Sequence, residues 1–285
     1  MKVTKAKALG TCFGVQDAID LALDFDHKED LTILGQLVHN PQRVKRLNES
    51  GITVATSLDE PITTQYVMIT AHGAANQVKE ELLNRGHAII DASCPLVVRV
   101  HKAIKKIVSD GFFPIVIGQK EHVEVRGIVG DLDVYEVIGS IDEIDKVKKY
   151  PRLGIVSQTT QQISRVHKIV EAIEAQGHEE VKFVDTVCKP TKDRQTAVEE
   201  LSEQVDLMLV IGGFNSSNTK KLKLVCERKG LPAYHIEGIN DIYPEWFSPD
   251  DHIGITAGTS TPSNVIEEVC AYLYDLKLEE GLSGS

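Results

Sequence analysis

DLMLVIGGFNSSNTKK, residues 206–221, is the stretch on which the fold turns. Its apolar part, 207–211, is unbroken rather than alternating. That is the pattern of a strand covered on both faces in a parallel sheet. Two glycines follow, and Ser216-Ser217-Asn218 opens a helical stretch continuing to Arg228. The unsatisfied amides of a helix start, with the positive end of the helix dipole, favour an anion such as a diphosphate. Hydroxyl and amide side chains add donors without fixed charge. Ser and Asn at this place also serve as plain caps. Neither a Walker A loop nor GxGxxG accompanies them, so no nucleotide is signalled.

The same grammar recurs along the chain. LTILGQL (31–37), YVMITAH (66–72), HAIIDAS (87–93), PIVIGQ (114–119), LGIVSQT (153–159) and HIGITAG (252–258) read as strands, with helical stretches between them. Asn40-Pro41 reads as a helix cap and first-turn proline with Gly51 as the stop, and the run 160–176 stops at Gly177. The fold class is therefore α/β with mainly parallel sheets. Cys12, Cys94 and Cys188 divide the chain into similar thirds, each cysteine lying between a strand-like run or turn and a helical run (GTCFGVQDAI, DASCPLVVRV, DTVCKPTKDR). Three similar α/β domains are expected, 13–94, 95–187 and 188–285, tightly packed because no linker is rich in Gly, Ser or Pro.

The 285 residues are 42% hydrophobic and 26% charged, the balance of an ordinary globular protein. No apolar run approaches the ~20 residues of a membrane span. The N-terminus, MKVTKAKALGTCFGV, has no apolar signal core, so a cytoplasmic location is expected. A net charge of −11 argues against a basic nucleic-acid face, without excluding a small anion in a local pocket. Five widely spread cysteines, an odd number, argue against a disulfide framework and for ligand or catalytic use of some of them.

Polar groups gather where strands end, the place where open α/β sheets bind ligands. His39, His72, the pair His122 and Glu124, the pair Thr159 and Thr160, Asn215 to Asn218, and Thr256 to Ser260 all follow apolar runs. A lone histidine there is more often structural, and a lone Glu124 a solvated carboxylate. Three histidines at three strand ends bring the balance to about even, and a buried Glu124 beside His122 would be a proton donor. Cys226 and Cys270 fall inside helical runs and read as small buried hydrophobes. There is no CxxC, no zinc-finger spacing and no HExxH. Three thiolates from distant segments suit zinc, or three irons of a 4Fe–4S cluster whose fourth iron stays open as a Lewis acid.

GTCFGV, LVHNPQRV, TAHG, DASCPLV, HVEVRG, SQTT, the segment from Cys188 to DRQTAV, GGFNSSNTKKL and GITAGTSTP occur in this order along the chain. In order and spacing they resemble the 4-hydroxy-3-methylbut-2-enyl diphosphate reductase (IspH/LytB) family over nearly the whole length. The resemblance implies three α/β domains arranged pseudo-threefold around a central 4Fe–4S cluster, with residues 1–12 joining the last domain. It implies Cys12, Cys94 and Cys188 as ligands, one iron being open. His39, His72 and His122 would line the substrate cavity, and Ser216, Ser217, Asn218 and Ser260 would grip the diphosphate. Thr159 and Thr160 would also border the substrate, and Glu124 with Thr159 and His122 would deliver protons. The implied reaction is reductive dehydroxylation of an allylic diphosphate to isopentenyl and dimethylallyl diphosphate, with electrons from ferredoxin or flavodoxin. The family's usual HPEV reads HVEV here, keeping His122 and Glu124. An iron–sulfur hydro-lyase acting on a small phosphorylated alcohol, needing no reductant, and a non-enzymatic phospholigand-binding module are the competing expectations.

Overall fold

The structure, a computed structural model, describes residues 1–37, 47 and 49–283. His39 and the helix start at Asn40-Pro41 lie outside the described residues. Each of the seven apolar runs contains a strand: β2 (Leu31–Leu34), β4 (Tyr66–Ile69), β5 (Ala88–Asp91), β6 (Phe113–Ile117), β8 (Arg152–Ser157), β10 (Leu207–Ile211) and β12 (His252–Ala257). Five further strands are present among the described residues: β1 (Lys2–Lys5), β3 (Thr53–Ala55), β7 (Glu136–Ile138), β9 (Glu180–Phe183) and β11 (Ala233–Ile236).

They form three four-stranded parallel sheets, ordered β3-β2-β4-β5, β7-β6-β8-β9 and β11-β10-β12-β1. Counted from its own first central strand, each sheet has the order 2-1-3-4. In the third, the fourth place is taken by the N-terminal strand, with Lys2 opposite His252 and Lys5 opposite Ile255. The repetition extends to single hydrogen bonds. In each sheet a glycine just past the first central strand donates to the last carbonyl of the neighbouring edge strand: Gly35 to Ala55 (2.7 Å), Gly118 to Ile138 (3.1 Å) and Gly212 to Ile236 (2.9 Å).

The helices with described ranges include α1 (Phe13–Leu23), α2 (Asn76–Asn84), α3 (Pro95–Ser109), α4 (Val123–Val129), α5 (Ile163–Glu174), α6 (Lys189–Leu201), α7 (Ser217–Arg228) and α8 (Ser263–Ser283). α3 shows why they cover the sheets. Val97, Val100, Ile104 and Ile107 recur at helical spacing and are buried. Ile107 lies so close over β8 that a Cβ on Gly154 would sit 2.2 Å from it. Each fully buried Ile or Val contributes roughly 1.5–3 kcal/mol.

The chain separates into two compact units. One contains Met1–Gln16 and Lys189–Ser285 with the third sheet, and the other contains the first and second sheets. Among the described residues no helix is long and apolar enough to cross a membrane.

Candidate functional site

In a 2-1-3-4 sheet the connections leaving the first and third strands diverge, so a crevice opens past their carboxyl ends. Among the described residues, the histidines, Glu124 and the hydroxyl and amide side chains singled out above occupy that place in their own sheets. In the unit holding the first two sheets, His122 and Glu124 follow β6, Thr159 and Thr160 follow β8, and His72 follows β4. His122 is the N-cap of α4, and its Nδ1 accepts the Glu124 amide at 3.2 Å. The neutral ring therefore carries its hydrogen on Nε2. The His72 and His122 rings stand edge to face, with centroids 5.8 Å apart.

Glu124 is only 1% exposed. Thr159 holds both of its oxygens: the amide donates to Oε1 at 2.6 Å and the hydroxyl to Oε2 at 2.9 Å. The carbonyl of the same Thr159 accepts the Cys188 amide at 2.9 Å. One residue thus ties a buried carboxyl to a candidate ligand. Thr186 supports the approach to Cys188, since its hydroxyl donates to the Ser157 carbonyl at 2.7 Å and accepts the Ser157 amide. Thr160 receives the Gln158 side-chain amide at 3.2 Å.

In the other unit, α7 begins at the end of β10. Gly212 has φ +152°, and a Cβ there would lie 2.5 Å from Thr219 Oγ1; a Cβ on Gly258, just past β12, would lie 2.1 Å from the same atom. Only glycine at both strand ends lets the first turn of α7 come this close. Ser216 caps the helix, its Oγ accepting the Thr219 amide at 3.3 Å. Ser217 accepts from the buried Lys221 ammonium at 2.7 Å. Asn218 is 2% exposed, and among the described residues neither its Oδ1 nor its Nδ2 has a hydrogen-bond partner; Ser260 Oγ is likewise buried and unpartnered there. Unsatisfied buried polar atoms cost about 1–3 kcal/mol each. Ser216, Ser217 and Asn218 open α7, and Ser260 follows the end of the adjoining strand β12; polar side chains with free helix-start amides are the chemistry that suits an oxyanion. His235 backs this turn, its ring within hydrogen-bonding distance of the Gly212 carbonyl at 2.8 Å. Burial first, and then Lys223 and Lys220, hold its pKa below the usual histidine value.

The three cysteines are structural equivalents. Each follows the fourth strand of a sheet and directly precedes a helix: Cys12 before α1, Cys94 as the N-cap of α3, Cys188 before α6. Each donates its amide to the carbonyl two residues past the third strand of its sheet: Cys12 to Thr259 (3.1 Å), Cys94 to Ala71 (3.0 Å) and Cys188 to Thr159 (2.9 Å). All three are half-buried thiols outside any disulfide. Cys226 and Cys270 differ, as their helical placement implies. Both are buried, and burial pushes the Cys226 thiol up to about 11. Among the described residues no three Cys, His, Asp or Glu side chains are grouped to hold a single metal ion. Thiols are the donor type that iron–sulfur groups take.

Two supports escaped the sequence. Arg194, on α6 and buried, donates Nε and Nη2 to the Gly10 carbonyl at 3.2 and 2.6 Å. The Thr11 hydroxyl donates to the Thr261 carbonyl at 2.9 Å. Together they fasten the Cys12 loop beside the turn that carries Ser260.

A model of the LytB protein family matches residues 3–274. The chain belongs to the LytB family. Curated relatives of this LytB-family chain are named 4-hydroxy-3-methylbut-2-enyl diphosphate reductase. The protein of Geobacter sulfurreducens is 36% identical over 271 residues, covering 94% of this chain and 95% of its own. That of Dictyoglomus turgidum is 38% identical over 278 residues, covering 97% of each. A solved structure of (E)-4-hydroxy-3-methyl-but-2-enyl diphosphate reductase, the terminal enzyme of the non-mevalonate pathway, is 36% identical. It covers 96% of this chain and 100% of its own, with a TM-score of 0.70. The Plasmodium falciparum E-1-hydroxy-2-methyl-but-2-enyl-4-diphosphate reductase, 25% identical, superposes with a TM-score of 0.88 over 95% of this chain and 87% of its own.

Proposed function

We propose that this chain is a 4-hydroxy-3-methylbut-2-enyl diphosphate reductase. It would act in the cytoplasm with a ferredoxin or flavodoxin as electron donor, its domains dividing near Cys94 and Cys188. The observation that carries the proposal is Thr159, which binds both oxygens of a buried carboxyl through its amide and hydroxyl while its carbonyl receives the amide of Cys188. The balanced reaction cleaves the allylic C–OH bond, takes up two electrons and two protons, and releases water with isopentenyl or dimethylallyl diphosphate.

Cys12, Cys94 and Cys188 would hold a 4Fe–4S cluster, which when bound supplies electron transfer and a Lewis-acidic open position. The protein's own residues do the rest. Ser216, Ser217, Asn218 and Ser260 receive the diphosphate at the start of α7, where the helix dipole and oriented donors replace its water. His72 and His122, with His39, add donors. His122 presents its Nε2 hydrogen because Nδ1 is engaged by Glu124. When Oε2 of Glu124 is protonated, the Thr159 hydroxyl turns from donor to acceptor across the same 2.9 Å separation, and the proton passes to Oγ1 as that oxygen releases its own hydrogen onward.

Anaerobic reconstitution, iron and sulfide analysis, and turnover with and without reductant test the proposal. It expects about four irons per chain and turnover that requires reductant. Turnover without reductant would favour a hydro-lyase, and failure to take up any cluster would overturn the enzyme reading.

The Arg194 support gives a second expectation. Lysine keeps the charge but loses the planar fork, so Arg194→Lys should cost about 2–3 kcal/mol in urea unfolding of cluster-free protein. The same variant should retain less iron on dilution. Unchanged stability and iron content would show that the Cys12 loop holds its place without the guanidinium.

A further inference from the structure

The turn carrying His72 is gripped by residues of the helices on either side of β6. Gly73 donates its amide to the Thr70 carbonyl at 3.0 Å and has φ +72°. A Cβ on Gly73 would lie 3.1 Å from Val97 Cγ1 and 3.4 Å from His101 Nε2, so α3 packs against its bare backbone. α4 closes on the next two residues. A Cβ on Gly127 would sit 3.5 Å from the Ala74 Cα and the Gly73 carbonyl oxygen, and one on Gly130 would sit 2.7 Å from the Ala75 Cβ. Gly130 has φ −63° and ψ −20°, ordinary helical values, so close approach rather than conformation is what calls for glycine there.

The residue after Gly130 completes the grip. α2 starts at Asn76, and its own N-cap, Ala75, provides no side-chain bond. Asp131 supplies it from outside, its Oδ1 accepting the Gln77 amide at 3.2 Å. Lys105 of α3 pairs with Oδ2 at 3.3 Å. Burial would raise the Asp131 pKa, but the Asn76 and Gln77 amides and Lys105 hold it below the usual carboxylate range, so the cap is charged. Apart from the Gly73 bond within the turn and the Lys105–Asp131 pair, which joins α3 to the residue following Gly130, these contacts lie between the His72 turn with the start of α2 and the α3–α4 pair. α4 is also the helix that carries His122 at its N-cap and Glu124 in its first turn.

We propose that Gly127, Gly130 and Asp131 are positioning residues that fasten the His72 turn to the helix bearing His122 and Glu124, so that the three side chains keep one geometry. The inference rests on the reductase reading for its consequence, substrate affinity, and on packing alone for its cause.

The test uses cluster-loaded protein well below its melting temperature, where a change in stability alone leaves KM unmoved. Gly130→Ala puts a methyl onto the Ala75 Cβ and is expected to raise KM about 10-fold, with a smaller change in kcat. Removing the methyl it meets, in Ala75→Gly/Gly130→Ala, should restore KM to within about two-fold. Asp131→Ala should raise KM in the same direction and speed deuterium exchange in peptides spanning 70–80 by about 10-fold. Should Gly130→Ala not fold, Asp131→Ala alone decides. Unchanged KM and unchanged exchange in Asp131→Ala would overturn the proposal, as would a KM effect in Gly130→Ala that the double variant leaves in place. Should the wild type show no reductase turnover, the function fails separately. Exchange over 70–80 then decides the fastening, faster exchange in Asp131→Ala supporting it and wild-type exchange overturning it.

Discussion

Glu124→Gln is expected to lower turnover about 10²–10⁴-fold while leaving iron content and diphosphate affinity close to wild type. The substitution is isosteric, and the surroundings accept it. The glutamine Oε1 still receives the Thr159 amide, and its Nε2 donates to Thr159 Oγ1 once that hydroxyl turns from donor to acceptor. The pair at 2.6 and 2.9 Å therefore survives with one bond reversed, and folding stability should change by no more than about 1 kcal/mol. What disappears is the exchangeable proton at Oε2, which no other carboxyl bonded to Thr159 replaces among the described residues. Because the loss falls on proton delivery, it should appear in kcat with KM held. Single-turnover assays of pre-reduced enzyme separate this from slow electron delivery. Near-normal turnover would remove Glu124 from the acid role. A loss accompanied by loss of iron would recast it as a support for the Cys188 segment through Thr159.

The legible and illegible parts of the chain divide along physical lines. The six central strands announced themselves because burial on two faces leaves little choice but Val, Ile, Leu and Met, as in LMLVI of β10 or the Ile-Val-Ile of β6. The edge strand β5 was legible through the isoleucine pair of AIID although its ends are exposed. The other partners at the sheet edges were not. TVA of β3, EVI of β7, EVKF of β9 and AYHI of β11 are three or four residues long and carry exposed or half-exposed positions, so periodicity has little to act on. The repeat among the three sheets was equally hidden. It lives in strand order and in backbone bonds such as those of Cys12, Cys94 and Cys188, which any side chain permits. Residue chemistry made Cys12, Cys94 and Cys188, the histidines and Glu124 candidates, and the motifs suggested a role for each. Arg194, Asp131 and Gly130 stayed unmarked because each matters through a partner distant in sequence, the Gly10 carbonyl, the Gln77 amide and the Ala75 methyl. A buried guanidinium on a carbonyl 184 residues away leaves no local trace.

Asn218→Ala should weaken diphosphate binding by about 10- to 100-fold, the roughly 1.5–3 kcal/mol of a hydrogen bond to a charged group, and should not cost stability. The opposite signs follow from the structure. A buried amide whose oxygen and nitrogen both lack partners among the described residues is a burden on the folded state, and removing it returns part of the roughly 1–3 kcal/mol spent on desolvation. Alanine also suits a helix interior better than asparagine. The melting temperature of ligand-free protein should therefore stay level or rise. Ser216→Ala gives the contrast, because its Oγ caps α7 through the Thr219 amide and its removal costs about 1 kcal/mol of stability as well as affinity. Calorimetric titration with isopentenyl diphosphate and with inorganic pyrophosphate, run beside thermal melts, reads both quantities. Weakened binding of both ligands places the contact on the diphosphate, whereas weakening for the isoprenoid alone would place Asn218 against the hydrocarbon. Full affinity in both variants would move the anion site away from the start of α7. A fall in stability for Asn218→Ala would mean that its amide serves the fold and not the ligand.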